Sequence, residues 1–100
     1  MALLSEATVV AELERTPGWT RVGKTIDRTY RFQSFKDAMF FVNGVAALAE
    51  RAEHHPDISI RYATVVLSLW THSAGGLTSK DFELARKIDG ILAESPIASR

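Results

Sequence analysis

Cysteine is absent from these 100 residues, which excludes a disulfide framework, a thiolate zinc site and a cysteine nucleophile. An excess of charge of either sign is missing too, with 12 basic residues against 12 acidic ones. The basic residues stand singly or beside acids, as in "KTIDRTYR". Clusters of Lys and Arg able to neutralise phosphates are therefore lacking, and direct binding to nucleic acid or to an anionic membrane surface is not expected. No apolar run is long enough to span a bilayer: "ATVVLSLW" falls far short, and "MALLSEATVV" lacks the basic opening and long apolar stretch of a signal peptide. A cytoplasmic location is the default expectation. What remains, 46% hydrophobic and 24% charged, suits one globular domain over residues 1–100, long enough to bury a modest core.

Proline and glycine are scarce, so the few that occur punctuate the chain clearly. Ser5 suits the N-cap of a helix over about residues 6 to 15, with Leu4 and Val9 as a hydrophobic staple and Thr16, Pro17 and Gly18 as its end. The pattern then changes to "WTRV", a two-residue turn at Gly23 and Lys24, and "TIDRTYRF", where Ile26, Tyr30 and Phe32 share one parity; this predicts a hairpin. Ser34 with Asp37 opens a second helix, from about 35 to 53, halted by Pro56. Ala38, Phe41, Val42, Val45, Leu48, Ala49 and Ala52 fall on one side of it, as in a helix lying on a sheet. Phe40, Gly44 and Ala47 fall opposite, near Arg51, a face suited to a second subunit.

After Pro56, Ile58, Ile60 and Tyr62 are in phase, as are Val65, Leu67, Leu69 and Thr71 in "TVVLSLWTH", so a second hairpin turns near Tyr62 and Ala63. "SAGG" supplies a loop. Thr78 with Asp81 opens a third helix, in which Leu84, Ala85, Ile88, Ile91 and Leu92 recur at helical spacing, and "SPIASR" reads as a frayed tail. The fold class is α+β: a four-stranded antiparallel sheet with three helices, in the order α-β-β-α-β-β-α.

The chemistry-bearing stretch is "ERAEHHPDISIRY". Adjacent side chains diverge in any regular element, so His54 and His55 converge only if the chain bends between them. Pro56 disfavours the helical region for His55, so His54 can sit at the helix end while His55 leaves the helical path. The plain alternative is a helix-terminal histidine beside a surface one. His72 at the end of the fourth strand, with Glu50 and Glu53 on the long helix, favours a shared pocket where imidazoles act as acid and base near neutral pH. Three histidines are also compatible with zinc, but the H-x3-H and H-E-x-x-H spacings are missing, and no metal is assigned.

In combination, E-x-x-[DE]-H-H-P, a strand ending T-H, and G-L-[ST]-x-x-D closely resemble the pterin-4a-carbinolamine dehydratase family, over most of the chain from Gly18 and Trp19 to Ile91. The resemblance implies a sheet covered by helices and the dehydration of 4a-hydroxytetrahydropterin to quinonoid dihydropterin, with no metal or organic cofactor. It also implies His54, His55 and His72 as active-site histidines, Glu50, Glu53 and Asp81 as supporting acids, and Trp19 beside the pocket. Asp81 has a second reading, as the third helical residue of a capping box. Relatives form homodimers or homotetramers, and animal members also serve as a dimerisation cofactor for a homeodomain transcription factor. A pterin-binding or interaction module without turnover is thus the alternative. The chain departs from the family pattern at "YATV" in place of Y-N-K-V, at Ser73 after T-H, and at Glu53 where the animal proteins carry Asp.

Overall fold

The structure is a computed structural model and describes residues 2–93; the "SPIASR" tail lies outside them. The elements follow the expected order: α1 (Glu6–Glu14), β1 (Thr20–Val22), β2 (Thr25–Arg31), α2 (Phe35–Ala52), β3 (Asp57–Arg61), β4 (Thr64–Leu69) and α3 (Ser79–Ala93). The caps read at Ser5 and Ser34 form, with Ser5 Oγ accepting from Thr8 N–H and Ser34 Oγ from Asp37 N–H. Gly23 takes the left-handed φ of +61° that lets β1 turn straight into β2.

The strands form one antiparallel sheet in the order β1-β2-β4-β3, so the two hairpins join through β2 and β4. Their register sets Ile26 opposite Leu69 and Tyr30 opposite Val65. Strand side chains alternate between faces, so Ile26, Tyr30, Val65, Leu67 and Leu69 all point to one side, where α2 and α3 bury them. Phe41 of α2 sits 4.5 Å from the Tyr30 ring centre and 5.2 Å from that of Phe32, while Phe82, Ala85 and Ile88 bring α3 into the same core.

Gly44 of α2 is half-buried and serves the close crossing of α2 over α3, where a Cβ would meet Ile91 Cδ1 at 3.2 Å. Phe40 does remain exposed, at 55%. The in-phase isoleucines of β3 are not buried either. Ile58 and Ile60 face the core side opposite Leu67 and Val65, yet each is 38% exposed, because β3 is an edge strand of the sheet among the described residues.

At the end of α3 remote from its first turn, Asp89 collects three donors. Tyr30 OH donates to it at 2.6 Å and Trp19 Nε1–H at 3.0 Å, and Arg28 pairs with it at 3.2 Å. Burial, reinforced by Asp89, pushes the Tyr30 phenol far above the ordinary tyrosine range, so it stays a hydrogen-bond donor. This cluster ties α3 to the sheet.

Candidate active site

Two segments deliver three histidines to one rim. α2 ends at Glu53, which adopts the left-handed conformation (φ 52°, ψ 41°), while His54 N–H closes onto Ala49 O at 3.1 Å. A non-glycine residue in that region costs about 1–2 kcal/mol, and such strain persists only where its surroundings impose it. The reversal at Glu53, followed by the extended backbone before Pro56, sends the two neighbouring rings to different environments. His54 is buried, at 9% exposure, and His55 is exposed. His72 arrives from the other direction. β4 stops at Leu69, earlier than the sequence pattern suggests, because Thr71 forms an isolated bridge with Gly76 and the chain turns tightly through residues 72–75. Gly75 permits that turn with φ +76°.

Each imidazole has its own support. His54 Nε2 lies 2.6 Å from Asp81 Oδ1. The fully buried Asp81 carboxylate also accepts, on Oδ2, the hydroxyl of Thr71 and the backbone N–H of Thr78, both at 2.9 Å. Asp81 therefore fills both of its readings: it caps α3 and it holds a histidine. His55 Nε2 lies 2.5 Å from Glu50 Oε2 at the surface. The ring centres of His72 and Trp70 lie 3.8 Å apart with their planes inclined by 31°, and Lys24 Nζ is 4.7 Å from the centre of the same indole.

All three histidines line one crevice of about 380 Å³, together with Glu53, Thr71, Ser73 and Lys80. That volume falls within the roughly 300–1,000 Å³ usual for small-molecule sites. Every residue lining it is polar or charged, and polar and apolar surface share its wall about equally, which suits proton transfer to a flat polar heterocycle. No group of three or more His, Asp or Glu among the described residues is arranged to hold a metal ion.

Of the residues singled out in the sequence, His54, His55, His72 and Glu53 line the crevice, Asp81 stands behind His54, and Glu50 holds His55. The Glu53 carboxylate makes no hydrogen bond among the described residues, so the acid that fixes His54 is Asp81, supplied by α3, not a carboxylate of α2. Trp19 is not brought to the crevice. It is buried against Tyr30 and bonded to Asp89, eight residues and about 12 Å along α3 from Asp81. Sequence reasoning missed Trp70, Thr71 and Lys80. Trp70 and Thr71 directly precede His72, and that adjacency was the available signal; Lys80 carried none.

The fold and the crevice define a small α+β protein whose helices shelter one side of a four-stranded sheet and whose histidines gather at its rim. The chain belongs to the pterin 4 alpha carbinolamine dehydratase family, whose model matches residues 2–91. A protein of Thermomicrobium roseum named "Putative pterin-4-alpha-carbinolamine dehydratase" is 56% identical over 88% of this chain and 95% of its own length. A protein of the same name from Sulfurisphaera tokodaii is 44% identical over 92% of this chain and 99% of its own. Among solved structures, a transcriptional coactivator/pterin dehydratase from Brucella melitensis superposes with a TM-score of 0.86 at 34% identity, covering 89% of this chain and 97% of that one. A pterin dehydratase-like protein described as a RuBisCO assembly factor of the alpha-carboxysome shares the fold at a TM-score of 0.67 and 23% identity, covering 78% of this chain and 93% of its own.

Proposed function

We propose that this protein dehydrates 4a-hydroxytetrahydropterin to quinonoid dihydropterin by general acid and base catalysis, a step in tetrahydropterin recycling. The observation that carries this reading is the gathering of His54, His55 and His72 in one crevice. In the elimination, the C4a–O bond breaks and the departing oxygen takes a proton from an acid, leaving as water. The N5–H proton passes to a base, and the electrons of that bond become the second bond of C4a=N5. One proton is given and one taken, so the site ends with the protons it began with.

His54 and His72, approaching from α2 and from the turn after β4, are the proton-transfer pair, and His55 binds or orients the pterin. Imidazole exists in both protonation states near its reference pKa of about 6.5, so neither step needs a metal or an organic cofactor. Asp81 suits His54 to this work, because a carboxylate on the far ring nitrogen offsets charge gained when the ring takes a proton. An alternative use of the fold, as a pterin-binding or dimerisation module, is favoured by one observation: β3 leaves a strand edge open beside exposed Ile58, Ile60 and Tyr62. Assembly into a homodimer or homotetramer is compatible with either reading.

The test supplies freshly generated 4a-hydroxytetrahydropterin and follows the appearance of quinonoid dihydropterin. The protein accelerates it well above the uncatalysed rate, and added chelator leaves that acceleration unchanged. A rate equal to the uncatalysed one, with pterin still bound, would replace the enzymatic reading by the binding module.

A further inference from the structure

Thr71 takes no part in the proton transfers above, yet it sits between the two histidines that do. Its backbone opens the turn that carries His72, through the bridge to Gly76, and its side chain reaches the carboxylate that holds His54. The directions of the hydrogen bonds around it follow from counting protons. Asp81 Oδ2 accepts the Thr78 backbone N–H and so has no proton to offer Thr71. Thr71 must therefore spend its single hydroxyl proton on Asp81. The 2.8 Å contact between the two threonine hydroxyls is then a donation from Thr78 Oγ1 to Thr71 Oγ1, and Thr78 Oγ1 in turn accepts the Lys80 N–H at 3.3 Å. A one-way chain runs from Lys80 N–H through Thr78 and Thr71 to the carboxylate. Thr71, Thr78, Asp81 and His54 are all buried, where such bonds reinforce one another.

At the other carboxylate oxygen, imidazole is the stronger base of the two partners, so the shared proton belongs to His54 Nε2. Nδ1 of His54 then carries the lone pair and has no hydrogen-bond partner among the described residues. Capping of α3 does not explain the Thr71 hydroxyl, because the Thr78 N–H already makes the cap bond to Asp81. What the hydroxyl adds is a second bond to Oδ2, which fixes the plane of the carboxylate and aims Oδ1 at His54.

We propose that Thr71 is a positioning residue: through Asp81 it locks His54 as the Nε2–H tautomer, leaving Nδ1 as the nitrogen that exchanges a proton with the substrate. The second half of this statement rests on the dehydratase reading; the first half does not. Thr71→Val keeps the shape and removes the hydroxyl, whereas Thr71→Ser keeps the hydroxyl. Long-range nitrogen–proton NMR spectra of the substrate-free full chain show His54 as Nε2–H in the parent and in Thr71→Ser, and as a mixture of tautomers in Thr71→Val. In the turnover assay Thr71→Val loses about tenfold in kcat with little change in KM, by analogy with the tenfold or greater losses seen when the outer partner of a metal-bound histidine is removed. Thr71→Ser recovers most of that loss.

The parent supplies a reading that survives misfolding of the valine variant. The Thr71 hydroxyl proton, buried against a carboxylate, gives its own slowly exchanging signal. A parent-like tautomer in Thr71→Val, or a parent whose Thr71 hydroxyl exchanges freely with water, overturns the positioning role. A tautomer shift in a protein that shows no turnover upholds it and overturns the dehydratase reading instead.

Discussion

Replacing His72 by alanine lowers the rate of 4a-hydroxytetrahydropterin dehydration by roughly a hundredfold or more, the usual contribution of one positioned acid or base, and leaves the fold intact. The side chain is exposed and, among the described residues, rests against the Trp70 ring without a side-chain hydrogen bond, so its loss breaks no buried bond there. His54→Ala loses a similar factor in rate but carries a second penalty. It leaves Asp81 Oδ1 buried without its donor, at a cost of about 1–3 kcal/mol in stability. The pair of variants therefore separates chemistry from structure: activity falls in both, and the urea midpoint falls in His54→Ala alone. His72→Ala turning over at the parent rate would remove His72 from the proton-transfer pair.

The largest loss of stability belongs to Asp81→Ala, at about 3–5 kcal/mol, because several buried donors lose their acceptor at about 1–3 kcal/mol each. One carboxylate serves three donors from three parts of the chain: His54 after α2, Thr71 after β4, and Thr78 at the start of α3. Deleting it orphans all three in a place where water does not reach them. A domain of this size has only about 5–15 kcal/mol of net stability, so the variant unfolds at markedly lower urea. Asp81→Asn does little better, because the amide keeps the shape but turns an N–H2 group toward one of the donors. A midpoint shift equivalent to less than about 1 kcal/mol for Asp81→Ala would contradict the picture of a buried hub.

How far the sequence foretold this arrangement depends on whether the signal was local. The caps at Ser5 and Ser34, the parity of Ile26, Tyr30 and Phe32, and the break at Pro56 depend on neighbours a few residues away, and all appear where the pattern sets them. The exposure of Ile58 and Ile60 was hidden, because alternation reveals which face a residue is on but not whether its strand lies at the edge. The close approach of α3 at Gly44 was hidden for a related reason: a small residue suits a crossing helix of the same chain as well as another subunit. In the site, the adjacent histidines and the proline announce a bend, whereas the left-handed residue producing much of it is Glu53, where glycine would have been the recognisable sign. Asp81 was legible as a cap from Thr78 three residues before it. Its bond to His54 spans 27 positions, and no local pattern encodes that distance. Trp19 was placed beside the pocket by resemblance alone, and its bond to Asp89 puts it at the other end of α3.

Whether the three rings face a single ligand is measured directly by titrating the full chain with 7,8-dihydropterin, a stable analogue. The imidazole NMR signals of His54, His55 and His72 move together with one common midpoint, while the indole N–H of Trp19 stays where it is. Signals of His72 that remain still at saturation, while those of His54 and His55 move, would contradict a single shared site.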